Sequence, residues 1–450
     1  MTNIDLLQEA VNAGIINLDS VQEQIDMKKK EKILKEHPYS IWEGKDGKWR
    51  TYVFDETKAK NRRLIKRKTK EDIEDFIVKE YEKEQKKKIE ANITIRILYP
   101  EWIKYKSLQV NSSSTIARIN ADWKKYYCND LYNQLHNINI IDMPIKSLNF
   151  LTLDKWAHYI VKNGNLFPSS NNYKPKSQES NLSRKQYFNV SLIVRQILDY
   201  AVHKEIIESN PFTNVTIDKK LFRKVAKKSD ESQVYLINEE HDLLHLLWKS
   251  FNQTKNDLRI LAVILNFYLG LRVGELVALK RSDINGRYLH VQRQLVKEFI
   301  ISEDNDTEFV GYKPVNFTKS VAGDRKIYLV DEAMKIIDII LSTLDNNYKN
   351  VPEYKQGFLF VKQDGFILPS NIDSVLVSYC KKLNILTKRS HKIRKTVIST
   401  LVDSGLNINT IREFAGHEDE RTTFNNYTFN RLGNDGIENM LEKSLSKFNS

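Results

Sequence analysis

Cysteine is almost missing from this chain: Cys128 and Cys380 are the two in 450 residues. They stand far apart and outside any metal-ligand spacing, which argues against a secreted disulfide scaffold and against a cysteine-based zinc site, and fits a reducing cytoplasm. Long apolar runs are missing too. The best stretch, 260–271, falls well short of the roughly 20 apolar residues a spanning helix requires. The first ten residues carry Asp5 and Glu9 and no basic segment ahead of an apolar core, so no signal peptide is expected. No Gly-x-x-x-x-Gly-Lys-Ser/Thr loop is present, which removes the common nucleotide-phosphate cradle. There is no internal repeat and no low-complexity tract.

What is abundant is positive charge. Lys plus Arg number 71 against 58 Asp plus Glu, a net charge of +13 and a pI near 9.2. Hydrophobic residues make up 41% of the chain, enough to bury real cores, so the basic excess sits on folded domains and points to an acidic polymer as partner. At roughly 150 residues per domain, the length suggests about three domains.

Residues 1–36 read as a helical segment, with Leu6, Leu7, Ala10 and Val11 on one face and Val21, Ile25 and Met27 further on. In 37–90, Gly44-Lys45-Asp46-Gly47 predicts a turn between alternating strands around Trp49, Thr51 and Val53. A third strand is expected around Leu64. Thr69 with Asp72 then predicts the start of a helix carrying Ile73, Phe76, Ile77 and Tyr81. The span 45–70 holds eleven Lys or Arg and three Asp or Glu, a net +8. A strand face bearing Arg62, Arg63, Lys66, Arg67 and Lys68 is therefore a candidate for a DNA groove.

Residues 93–215 read as a helical domain: Ile97, Leu98, Trp102 and Tyr105, then Ile116, Ile119 and Trp123 from Thr115. After a polar loop over 163–181 comes a long helix from Tyr187 through Ala201, expected to stop near Asn210-Pro211. The span 219–228 packs six basic residues into ten, so 216–234 reads as a basic linker in which Lys219, Lys220, Arg223 and Lys224 are candidate DNA contacts. The last domain, 235–450, is mostly helical, with short strands expected at 290–292, 313–318 and 325–329. The fold class is thus mainly α with small β-sheets.

Phosphate chemistry without a metal needs fixed cations, a proton donor for the leaving oxygen and a nucleophile. The last domain holds such a set in order. Gly270-Leu271-Arg272-Val273-Gly274-Glu275-Leu276 places an arginine at a helix junction with a carboxylate three residues on. His391-Lys392-Ile393-Arg394 puts His391 and Arg394 on one helix face. Gly416-His417 follows, and Tyr427 ten residues later. By contrast, His241-Asp242-Leu243-Leu244-His245 lacks the glutamate of a metalloprotease helix and a third ligand, so no metal is expected there.

Taken together, the series resembles the tyrosine recombinase family of phage and mobile-element integrases, and more particularly the integrases of conjugative transposons. The resemblance implies a three-domain architecture: an arm-type DNA-binding domain at 37–90, a core-binding domain at 93–215 and a catalytic domain at 235–450. It implies that Arg272, His391, Arg394 and His417 surround a scissile phosphate, that Glu275 supports Arg272, and that Tyr427 is the nucleophile. The family's hairpin lysine is assigned to Lys319, with Lys313, Arg325 and Lys326 as rivals. Lys395 replaces a frequent histidine, and Ala415 a usual leucine. The expected activity is cleavage and rejoining of DNA strands through a 3′-phosphotyrosyl intermediate, without a cofactor, in a bacterial cytoplasm. Expected partners are double-stranded DNA at core and arm sites, further copies in a homotetramer, and an excision factor. The tail residues Ile437, Met440, Leu441, Leu445 and Phe448 form an amphipathic pattern that packs either on a neighbouring protomer or back on its own domain. The alternatives are a type IB topoisomerase-like nicking and resealing enzyme, which needs no second DNA-reading unit, and a catalytically inactive DNA-binding regulator.

Overall fold

The computed structural model describes residues 11–58, 60–129, 139–167, 180–226, 228–318, 320–348, 357–419 and 429–446. Residues 1–105 with 122–223 form one compact unit, and 106–121 with 224–450 form another. The division between Arg223 and Lys224 falls inside the expected linker.

In the first unit, helix α1 (Leu18–Glu36) precedes strands β1 (Trp42–Glu43), β2 (Trp49–Phe54) and β3 (Arg62–Arg67), and helix α2 (Lys70–Ala91). The strands form one antiparallel sheet in the order β1-β2-β3. The Thr69 and Asp72 pair caps α2 reciprocally: Asp72 N–H donates to Thr69 Oγ1 at 3.1 Å and Thr69 N–H to Asp72 Oδ2 at 3.3 Å. Val53, Ile65, Ile73 and Ile77 make a small core, against which Ile33 and Leu34 of α1 pack. Lys30 also reaches Asp75 of α2 at 2.6 Å. The described part of the N-terminal segment is therefore built into this sheet-and-helix module.

The register corrects the expected basic strand face. Tyr52 pairs with Leu64, Arg50 with Lys66 and Phe54 with Arg62. Side chains alternate along a strand, so Arg62, Leu64 and Lys66 share the outer face with Arg50, Tyr52 and Phe54. Arg63 and Arg67 lie on the face of buried Ile65 instead, Arg63 within 3.8 Å of Asp55 and 3.9 Å of Glu80, Arg67 stacked 4.8 Å over Phe76. Lys68 lies beyond the strand.

Helices α3 (Ile95–Leu108), α4 (Ser113–Tyr126), α5 (Phe150–Asn163) and α6 (Arg184–His203) follow, the stretch 106–121 of α3 and α4 being counted with the second unit. Leu98 and Trp102 are buried, but Ile97 is 63% exposed, one position off the inward stripe. Rings of Tyr99, Trp123, Tyr127 and Trp156 follow one another through the core at 3.9, 5.2 and 5.3 Å. Helix α6 starts on a Ser183 and Gln186 capping box and ends at His203, ahead of the expected stop. The segment 219–223 is fastened to this unit, with Arg223 N–H on Leu182 O at 2.9 Å and Asn181 Nδ2 on Leu221 O at 2.7 Å.

In the second unit, α7 (Ile237–Thr254), α8 (Leu258–Leu269) and the single turn α9 (Val273–Leu276) lead into β4 (Ile284–Asn285) and β5 (Tyr288–Val291). A hairpin of β6 (Gln294–Ile301) and β7 (Thr307–Val315) intervenes before β8 (Arg325–Tyr328), which pairs antiparallel with β5. The two strands of that hairpin are longer than the short strands expected from sequence. Then come α10 (Asp331–Asn347), the small pair β9 (Val361–Lys362) and β10 (Gly365–Phe366), α11 (Pro369–Lys382), α12 (Ser390–Asp403), α13 (Ile408–Ala415) and α14 (Gly433–Leu445). Helix α8 is buried on nearly every side, flanked by α10, α11 and α12. Such a central helix needs no polar face, which explains its apolar run from Ile260 to Leu265. His241 and His245 of α7 are both exposed.

Candidate active site

The site is assembled where three helix ends meet. Helix α8 closes at Gly270, and the chain turns directly into α9 with Arg272 at its N-cap. Asn266 holds that turn through both edges of Leu271, accepting its N–H at 2.8 Å and donating to its carbonyl at 3.3 Å. Gly274 lets α9 lie close to β6: a Cβ there would sit 3.0 Å from Leu295 O. Glu275, 1% exposed, accepts Arg272 N–H at 3.2 Å and Arg272 Nη1 at 2.7 Å. The spacing of arginine and glutamate is thus a helix-capping arrangement in which one carboxylate fixes both the backbone and the guanidinium.

Arg394 comes from the first turns of α12 and is fully buried. Its Nη1 donates to Gly270 O at 2.8 Å; its Nη2 donates to Ala415 O and, at 2.9 Å, to His417 Nε2. A guanidinium can only donate, so His417 Nε2 is the acceptor and the ring proton resides on Nδ1. Arg272 Nη2 in turn donates to Gly416 O at 3.2 Å. A third arginine, Arg325 of β8, donates to Phe414 O at 2.7 Å and to Glu275 Oε2 at 3.1 Å. Three arginines therefore meet three successive carbonyls, 414 to 416, at the C-terminal end of α13. Those carbonyls lack partners within the helix and carry the negative end of its dipole, which suits cations.

These groups surround a cleft of about 590 Å³ lined by Arg272, Gly274, Ser320, His391, Gly416 and His417, among others. Arg394 is not in the lining. It meets the cleft through His417, whose Nε2 it holds. His391 opens α12, whose N-terminus is capped by Asp373 through Ser390 N–H at 2.9 Å and Ser390 Oγ at 2.7 Å. It lines the cleft.

The electrostatics follow from so many cations. His391 is lowered to about 4 by desolvation among its neighbours, then by Lys395, Arg394, Lys392 and Arg272. His417 is lowered to about 3 by burial, then by Arg394, Arg272 and Arg325. Both rings are neutral at ordinary pH. Burial alone would raise Glu275, but Arg325, Arg272 and Arg394 outweigh it and hold the carboxylate below its usual range. Lys395, the departure after Arg394, donates to Gln233 Oε1 at 2.9 Å, beside Lys392 on the same oxygen at 2.7 Å. Burial and the neighbouring lysines bring Lys392 down to about 8.

Lys319 and Tyr427 lie outside the described residues. The neighbours of each are placed. Ser320 lines the cleft, and Thr318 Oγ1 closes the turn on Ser320 O at 2.6 Å. Beyond Tyr427, Phe429 N–H bonds Ser399 Oγ at 3.2 Å, and Arg431 bonds Tyr235 O at 3.3 Å, Thr400 Oγ1 and Glu240. Among the rivals to Lys319, Arg325 is buried in ion pairing, Lys313 pairs with Glu298 at 3.4 Å, and Lys326 is exposed on its strand. The structural part of Arg325 is not legible in the sequence. The one signal for it is an arginine at the start of a strand whose alternate positions are apolar. Among the described residues no cluster of His, Cys, Asp and Glu could hold a metal ion.

Comparison with known proteins gives matches in sequence and in fold. Residues 237–432 match the phage integrase family. A probable integrase of prophage ps2 in Lactococcus lactis is 28% identical over 245 residues, 52% of this chain and 60% of that protein. The integrase of a Staphylococcus phage is 25% identical over 324 residues, 63% of this chain and 89% of that protein. A solved structure of a Tn1549 transposon integrase fragment in complex with transposon right end DNA superposes with a TM-score of 0.53 at 19% identity, covering 78% of this chain and 99% of that one. At that identity the superposition shows the fold. The class these observations define is that of the tyrosine recombinases, which are site-specific DNA recombinases. Within that class, residues 237–432 form a phage integrase family domain.

Proposed function

We propose that this recombinase integrates and excises a mobile element, with Tyr427 as nucleophile and the cleft around Arg272 as the seat of the scissile phosphate. The observation that carries the proposal is the meeting of Arg272, His391 and His417 at one cleft, with Arg394 behind it, from segments up to 145 residues apart. A tyrosine hydroxyl near pKa 10 is ionised in only about one molecule in a thousand at pH 7, so the nucleophile needs a base and a field. His391, neutral and facing the cleft, is that base. A phosphate anion entering the cleft raises its proton affinity against the surrounding cations, which favours transfer from the tyrosine.

Arg272 holds a non-bridging oxygen with a fork already oriented by Glu275. His417 donates from Nδ1, and Arg394 contributes charge from the floor and fixes that ring. As the tyrosyl oxygen bonds to phosphorus, the bond to the 5′-oxygen breaks and Lys319 supplies its proton. The 3′-phosphotyrosyl bond resembles the phosphodiester in energy, so an incoming 5′-hydroxyl reverses the step without ATP.

The domain roles follow the same reading. The sheet module at 37–90 is the arm-site reader, 93–215 the core-site reader and 216–234 the basic linker, with Lys219, Lys220, Arg223 and Lys224 along the DNA backbone. Double-stranded DNA at core and arm sites is the substrate, in a bacterial cytoplasm. A homotetramer forms on it, supported by Leu441 and Leu445 of α14, which are 54% and 60% exposed, and an excision factor sets the direction. Incubating the protein with a nicked suicide core site tests the chemistry: wild type forms a covalent adduct, while Tyr427→Phe binds DNA and forms none. An adduct surviving in Tyr427→Phe overturns the assignment.

A further inference from the structure

Arg325 lies outside the cleft lining, yet it ties together the segments that carry Arg272 and His417. The residue is 8% exposed, and its guanidinium makes three directed bonds to three segments: Nε to Phe414 O at 2.7 Å, Nη1 to Gly323 O at 2.8 Å and Nη2 to Glu275 Oε2 at 3.1 Å. Glu275 gives its other oxygen to Arg272. The linkage therefore runs from β8 to Glu275 to Arg272 on one side, and from β8 to the end of α13, and so to Gly416 and His417, on the other. Gly416 is shaped around it as well: φ is +64°, and a Cβ would stand 2.9 Å from Arg325 Nη1 and 2.8 Å from Ala322 O.

We propose that Arg325 is a positioning residue for strand cleavage: it locks Glu275 and the C-terminal end of α13 together, so that Arg272 and His417 address the same phosphate. This rests on the recombinase reading of the cleft. A lysine cannot replace it, because one ammonium on a flexible stem cannot meet a strand-turn carbonyl, a helix-end carbonyl and a carboxylate in the plane of a guanidinium. Loosening that lock shifts Arg272 and His417 relative to each other, and a misplacement near 1 Å lowers a rate on the order of 10²-fold.

The test measures covalent adduct formation on a nicked core site at saturating protein, beside non-covalent affinity for the same DNA, for wild type, Arg325→Lys, Arg325→Met and Glu275→Gln. The expected result is a rate of adduct formation lowered on the order of 10²-fold in Arg325→Met and less in Arg325→Lys. DNA affinity should stay within about threefold of wild type in the variants that retain the wild-type circular dichroism spectrum, since Arg325 touches no cleft surface. Combining Arg325→Lys with Glu275→Gln should lower the rate by less than the product of the two single effects, because both act through one ion pair. Arg325→Lys keeps a buried charge and serves if Arg325→Met does not fold. A folded Arg325→Lys cleaving at the wild-type rate, a fall in rate matched by an equal fall in DNA affinity, or multiplicative effects in the double variant overturns the inference. Absence of any adduct with wild-type protein overturns the recombinase reading, and this inference with it; a normal wild-type adduct beside an unaffected Arg325→Lys overturns this inference alone.

Discussion

Arg62 and Lys66 stand exposed on the outer face of the N-terminal sheet, Arg62 resting 4.4 Å over the Tyr52 ring. Arg325 and Arg394 are buried, and with the partly exposed Arg272 they are fixed by carboxylate and helix-end carbonyls. The first arrangement keeps its cations hydrated and adaptable, suited to collecting affinity from a phosphate backbone by releasing counterions. The second has lost its water and freedom during folding, the preorganised arrangement that the proposed cleavage requires. On the proposed reading, the same residue type supplies binding in one place and rate in the other, according to how firmly its neighbours hold it.

Each side of that contrast can be broken separately. The largest effect is expected from Arg394→Ala, which removes the buried cation: adduct formation should fall on the order of 10² to 10³-fold. It also leaves Gly270 O and Ala415 O without this donor, about 1–3 kcal/mol each if unsatisfied, which urea denaturation would register as a lower midpoint. Unchanged cleavage would remove Arg394 from the site. Next, deletion of residues 1–90 should lower arm-site affinity and flatten its salt dependence while sparing core-site cleavage; equal losses at both sites would unite the two regions. A smaller change is expected from Arg62→Ala with Lys66→Ala, which should reduce the log–log salt slope by about 0.9 for each phosphate that is no longer neutralised. Arg63→Ala with Arg67→Ala, on the other face, should reduce it less.

The smallest effect concerns pH. His391 and His417 have folded pKa values lowered to about 4 and about 3, against an unfolded value near 6.5. The unfolded chain binds these protons first, so their contribution to stability is complete above about pH 6.5 and declines as pH falls from there through 4 to 3. Thermal melts across that window, compared with His417→Gln, would show a shallower decline in the variant.

The helical majority and the order of the site residues are legible in the sequence because each rests on local pattern: capping pairs such as Thr69 with Asp72, apolar stripes, and motifs spaced within one helix turn. What escapes depends on register or on long-range pairing. The basic strand reads as one face when its residues are counted together, although alternation divides Arg62 and Lys66 from Arg63 and Arg67. Helix α5 carries an Asn149 N-cap and Leu153, Trp156, Ala157, Ile160 and Val161 at helical spacing, a local signal that the expected helices of 93–215 leave out. Arg325 reads from sequence as a rival proton donor because its partner Glu275 is 50 residues earlier in the chain, and nothing local announces that pair. The burial of Arg394 is equally hidden, since its partners belong to the ends of two other helices.

The three carbonyls at the end of α13 explain why Ala415 can stand where a leucine is usual. Arg272, Arg325 and Arg394 grip main-chain oxygens, so the site is indifferent to which side chains occupy 414 and 415 so long as they pack. It is not indifferent to length. One residue added to or removed from α13 would turn each carbonyl by about 100° around the helix axis and offer every arginine the wrong oxygen. Variation in this segment should therefore accumulate as exchanges of residue, with insertions and deletions excluded from 408–417.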